Sequence, residues 1–201
     1  LSSTNRSAAR ESHISDYYVT PLDAVEEFFQ AFLQDYFFDA ETLGNLSVLD
    51  PCAGGDENHP MSYPTVLHAY GINYLTTIDV REDSRASIIA DYLQMPSLGC
   101  KPDMIITNPP FSLAEPIIKR ALQDVNKKNG FVIMLLRLNF LGGLRRKREF
   151  WDEVGLPTNI YVHPRRMCFT NNGKTDSIEY AHFVWHTQKG SVSSSSCLRL
   201  I

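Results

Sequence analysis

The chain has 201 residues, 43% of them apolar and 21% charged, with a formal net charge of −4. That length supports one domain with a full core, and the longest apolar run, "FVIMLL", is far too short to cross a bilayer. Cys52, Cys100, Cys168 and Cys197 are too scattered for a zinc site or a disulfide framework, so the expectation is a reducing, cytoplasmic setting with no metal.

In chain order, residues 1–15 read as a polar arm, 16–188 as a single domain and 189–201 as a Ser-rich peripheral tail. "PLDAVEEFFQAFLQDYF" places Leu22, Val25, Phe28, Phe29, Phe32 and Leu33 at helical spacing, which predicts a helix with one buried face. Strands are expected over 46–50, 74–80, 86–90, 103–108, 131–137, 159–163 and 179–186, with helix-like stretches between most of them. After the first strand, Pro60 and Pro64 delay the crossover helix to near Pro64, leaving "DENHPMSY" partly as a loop. "GLRRKREFWDEVG" begins after a glycine pair and stops at Gly155, before Pro157. Continuously apolar strands separated by helices indicate an α/β fold: a mostly parallel, seven-stranded sheet covered on both faces. The final strand follows its predecessor through a polar loop alone, so it is expected to run antiparallel.

Ligands of such sheets sit beyond the carboxyl ends of the strands. The first strand ends in the small-residue turn "DPCAGG", the second in Asp79, the third in Asp91 and the fourth in "TNPPF". Asp79 suits two ribose hydroxyls and Asp91 an adenine amino group. Asn108, Pro109 and Pro110 offer hydrogen-bond acceptors on a stiff turn, and Phe111 offers a stacking surface. Singly, each residue also has a plain structural reading: a strand-ending turn, a helix cap, a surface acid, a core aromatic. Cys52 follows the first strand, where a small packing residue is expected. Arg145, Arg146, Lys147 and Arg148, with Arg165 and Arg166 further on, form basic clusters that suit phosphates despite the acidic total, or else solvated faces.

Together these segments resemble the S-adenosylmethionine-dependent amino-methyltransferases of nucleic acids, and in particular the compact adenine-N6 DNA methyltransferases of phages, mobile elements and restriction–modification systems. "TNPPF" is similar to that family's catalytic (D/N/S)PP(Y/F) motif and "DPCAGG" to its first cofactor motif, while "YYVTP" lies where permuted members hold the methionine end of the cofactor. The resemblance implies a Rossmann-like methyltransferase fold and S-adenosyl-L-methionine held by Tyr18, Thr20, Pro21, Asp50, Pro51, Cys52, Gly54, Asp79 and Asp91. It implies that Asn108, Pro109, Pro110 and Phe111 receive an adenine flipped out of its helix. Phe169 would be a second aromatic wall, with the two basic clusters on the phosphates. DNA is the implied partner ahead of RNA, with the protein a monomer or homodimer in a bacterial or phage-infected cell. No separate target-recognition domain is left after the sheet is subtracted. Methylation of a protein glutamine, and a non-catalytic nucleic-acid-binding module, stay open as alternatives.

Overall fold

The computed structural model describes residues 18–36, 38–169, 177–189 and 195–201. The polar arm, Tyr17 of "YYVTP", the loop centre 170–176 and residues 190–194 of the Ser-rich stretch lie outside the described residues. Among the described residues eight strands form one sheet: β1 (Ser47–Asp50), β2 (Tyr74–Asp79), β3 (Ile88–Ile89), β4 (Met104–Thr107), β5 (Phe131–Arg137), β6 (Asn159–Val162), β7 (Tyr180–His186) and β8 (Cys197–Leu200). Their order is β3-β2-β1-β4-β5-β7-β6-β8. All neighbours pair in parallel except β7, which runs antiparallel to both β5 and β6.

Alternate residues of the central strands serve two cores, which is why these strands are apolar at nearly every position. Val48, Met104, Ile106, Phe131 and Ile133 pack with α1 (Leu22–Tyr36) and α3 (Ser62–Ala69). Leu49, Ile105, Val132 and Met134 face the other way, onto α4 (Ala114–Asp124) and the helical segment that holds Phe150 and Trp151. In α1, Val25, Phe28, Phe29 and Phe32 are fully buried, while Leu22 is 40% exposed at the helix start. A short α2 (Ala40–Asn45) is capped by Asp39, whose carboxylate accepts from Thr42 N at 2.7 Å.

The expected helix after the glycine pair is a composite. α5 (Leu144–Arg146) runs through a π-helical turn (Lys147–Trp151) into α6 (Asp152–Val154). Gly143 and Gly155 bound it with φ of 108° and 76°, left-handed values that favour glycine. α3 starts at Ser62, two residues before Pro64.

The tail departs from its reading. Instead of being wholly peripheral it supplies β8, an eighth, edge strand paired with β6. Arg199 fixes it: its guanidinium bonds the Asp35 and Gln34 side chains and the Ala31 carbonyl, all on α1. Four residues after a serine run carry too little alternation to be read as a strand.

Candidate active site

The turn after β1 is shaped by backbone that only glycine adopts easily. Gly54 and Gly55 have φ of 65° and 76°. A Cβ on Gly55 would lie 2.6 Å from Met61 Cγ. Two ties hold this turn against the end of β2: Ala53 N donates to the Ile78 carbonyl at 2.9 Å, and Gly54 N donates to Asp79 Oδ2 at 2.7 Å. The other Asp79 oxygen accepts from Arg81 N at 2.9 Å, and Arg81 in turn donates to the Gly55 carbonyl. Asp79 therefore organises the glycine turn and lines the cleft at the same time. Asp91 also lines the cleft; one of its oxygens caps Leu93 N at 2.9 Å.

Asp50 is fully buried beneath this turn. Its Oδ1 accepts from Cys52 N at 3.3 Å, while Oδ2 is enclosed without a hydrogen bond. Burial pushes its carboxyl up to about 7, against a lowering influence of the nearby Thr107 hydroxyl. That hydroxyl is itself buried without a hydrogen bond, so the two groups are not a formed pair. Burial and the adjacent Asp50 hold the Cys52 thiol well above its ordinary value, which leaves it a poor nucleophile at neutral pH.

Asn108 follows β4 directly. Its side-chain amide donates to Thr20 Oγ1 at 3.1 Å, and the Thr20 carbonyl accepts from Ser62 Oγ at 2.7 Å. The segment 18–20 is thus stapled to α3 on one side and to the end of β4 on the other. With its N–H₂ turned to Thr20, Asn108 keeps Oδ1 as an acceptor for another group. Pro109 is buried, and the Pro110 carbonyl accepts from Leu113 N at 2.9 Å, closing the 3₁₀ turn that leads into α4. Phe111 packs beside Tyr18 and Tyr180, with centroids 6.0 and 5.9 Å away, and the Arg137 guanidinium carbon lies 4.2 Å from its ring centre.

These residues line one open cleft along the carboxyl ends of β1, β2 and β4. Tyr18, Thr20, Pro51, Cys52, Gly54, Asp79, Asp91, Asn108 and Pro110 line it. Pro21, Asp50, Pro109 and Phe111 do not, and stand behind or beside it. Sequence reasoning missed Tyr63. Its hydroxyl is 2.9 Å from His182 Nε2, and His182 Nδ1 is 2.8 Å from His163 Nε2. This buried chain runs from the cleft wall into the core over Phe28, on which His182 stacks at 3.9 Å. Burial lowers His163 to about 4 and His182 well below its ordinary value, so both are neutral at pH 7. No local signal links residues 63 and 182.

Phe169 is only 7% exposed and sits edge-on to Tyr18 and Tyr180. It backs the Phe111 cluster from within a small core of Ala24, Leu135 and Met167, and is not an open wall. The basic clusters are largely ion-paired. Arg145 and Arg146 share Glu115 at 2.9 Å, Lys147 pairs with Asp152, and Arg165 pairs with Glu27. Arg148 and Arg166 are exposed. Among the described residues no group of His, Cys, Asp and Glu is arranged to hold a metal, and no helix is long and apolar enough to cross a membrane.

No protein-family model and no curated protein matches the sequence. Solved structures do match its shape. A Listeria monocytogenes protein provisionally assigned as a class I S-adenosylmethionine-dependent methyltransferase superposes with a TM-score of 0.66 at 15% identity, over 96% of this chain and 68% of that one. The fold is that of the Rossmann-like methyltransferases. A Vibrio vulnificus protein, provisionally assigned as the modification subunit of a type I restriction enzyme, gives 0.64 at 13% identity, over 98% of this chain and 49% of that one. The M protein of the type I restriction enzyme EcoKI gives 0.55 at 11% identity, over 81% and 46%. This chain therefore spans about half the length of those two modification proteins, and at such identities the likeness concerns the methyltransferase fold alone.

Proposed function

We propose that this protein transfers a methyl group from S-adenosylmethionine to the N6 amino group of adenine in DNA. The observation that carries the reading is the orientation of Asn108: its amide N–H₂ donates to Thr20 Oγ1, which leaves Oδ1 as an acceptor on the cleft shared with the glycine turn, Asp79 and Asp91. The cleft also suits a cationic nucleoside cofactor. It has acid groups at two strand ends, a glycine turn of close approach, and the unpartnered Asp50 Oδ2 beneath that turn. Asp79 and Asp91 would hold the nucleoside, and Tyr18, Thr20 and the Cys52–Gly54 turn the methionine part. When bound, the cofactor supplies an electrophilic sulfonium methyl.

The chain's own contribution is positional. An adenine amino group is a weak nucleophile because its lone pair is delocalised into the ring. Asn108 Oδ1 and the Pro109 carbonyl, accepting its two protons, bias the nitrogen towards a tetrahedral form with its lone pair aimed at the methyl. Fixed dipoles of this kind act without reorganising during the reaction. Phe111 supports the flipped base, and Tyr18 and Tyr180 hold Phe111. The raised Cys52 thiol argues against a covalent route through that residue.

The test is incubation with labelled methyl donor and DNA, RNA or protein, followed by digestion to nucleosides or amino acids. N6-methyldeoxyadenosine is expected. Label in N4-methylcytosine, in RNA or in glutamine would keep the fold and replace the substrate. Cofactor binding with no transfer to any of them would favour the non-catalytic module.

A further inference from the structure

The basic clusters singled out in the sequence are mostly held by carboxylates, yet one arginine beside the proposed base platform is not. Arg137 ends β5, the strand next to β4, so it emerges on the same sheet edge as Asn108 and Phe111. Its guanidinium carbon sits 4.2 Å from the Phe111 ring centre. Its Nε is buried without a hydrogen bond, and no carboxylate among the described residues pairs with it. An enclosed, unpaired N–H is unfavourable, and a cation–π contact offsets only part of that cost. Arg137 does not line the cofactor cleft; it stands on the ring of Phe111, the residue proposed to support the base.

We propose that Arg137 binds the phosphodiester of the nucleotide whose base is presented to Asn108, with the Phe111 ring holding the guanidinium ready. The inference rests on the nucleic-acid reading above and adds a residue and a contact to it. The ring engages the carbon centre of the guanidinium, and its terminal N–H groups, which are not enclosed as Nε is, remain for an anion. Their planar fork fits two phosphate oxygens, which a lysine ammonium would contact only as a point charge. A base supported by Phe111 carries its own phosphate close to any group resting on that ring. One stack would thereby orient the base and anchor its backbone.

The test is binding of a fluorescently labelled oligodeoxynucleotide to the full chain with S-adenosylhomocysteine bound, over a range of salt concentrations. Arg137→Met keeps the stem and its packing, and cofactor titration and thermal unfolding report whether it is folded. It should bind DNA about 10- to 100-fold more weakly, with the log–log salt slope shallower by about one, while cofactor affinity stays at the parent value. Arg137→Lys retains the charge and covers the case in which the methionine variant does not fold. It should keep the parent's slope with an intermediate affinity. Parent-like affinity and slope in either variant, or a loss confined to cofactor binding, would overturn the phosphate role. A parent protein that binds neither DNA nor RNA would instead overturn the nucleic-acid reading itself.

Discussion

Thr20 is the residue through which the candidate site is set. It is 3% exposed, its hydroxyl accepts a hydrogen bond from the Asn108 amide, and its carbonyl accepts from Ser62. Thr20→Val removes the acceptor while keeping the shape, so Asn108 loses the bond that fixes which end of its amide faces the cleft. We expect kcat to fall by about ten-fold or more, KM for DNA to change less, and Thr20→Ser to restore most of the rate. Steady-state kinetics of the two variants checks this, because a merely structural role would not be rescued by the hydroxyl alone. Asp79 has a different consequence. Because it holds Gly54 N and Arg81 as well as facing the cleft, Asp79→Ala should weaken cofactor binding and also lower the melting temperature. Calorimetry and thermal unfolding together would show both losses. A loss of affinity with unchanged stability would mean that the carboxylate serves the ligand alone.

At the scale of elements, the glycine turn and the edge strand make the sharpest claims. Gly55→Ala meets a left-handed φ and a Cβ 2.6 Å from Met61 Cγ, so it should destabilise by about 1–3 kcal/mol in chemical denaturation. Most of this layer was legible beforehand. The central strands could be read because two covered faces make them apolar throughout, and the Asn108 and Asp79 strand ends followed from their boundaries. What escaped the reading depends on long-range contacts. β8 is held by Arg199 reaching Asp35, and Tyr63 meets His182, more than a hundred residues away in each case. The π-helical turn at Lys147–Trp151 also lay beyond reach, since nothing in "KREFW" distinguishes it from an α-helix. Local pattern carries periodicity, while the partner of a given polar group is a property of the assembled fold.

For the whole molecule, the buried titratable groups set how stability varies with pH. His163 and His182 are kept neutral by burial, so the unfolded chain takes up protons that the native state refuses as pH falls from about 6.5 towards 4. Each contributes stability that is present above 6.5 and lost on acidification. Asp50 acts in the opposite sense. The native state keeps its proton up to about 7, while the unfolded carboxyl releases it near the ordinary value of 3.8, so acidification through that window favours the native state. Two histidines against one carboxyl leave a net uptake of one proton on unfolding. Stability should therefore fall on acidification across the window, and Asp50→Asn should make that fall steeper. Denaturant unfolding at a series of pH values reads it directly, and stability that rose on acidification across the window would show that His163 and His182 are not kept neutral in the native state.

If Asn108 activates an adenine amino group, nucleoside analysis of methylated DNA will show it. Parent and Asn108→Ala proteins, each shown by calorimetry to bind S-adenosylmethionine, are incubated with DNA, which is then digested and quantified for N6-methyldeoxyadenosine. Product is expected from the parent and none above background from the variant, with cofactor affinities nearly equal, because the lost interaction acts mainly in the transition state. Comparable N6-methyldeoxyadenosine from both proteins would contradict it.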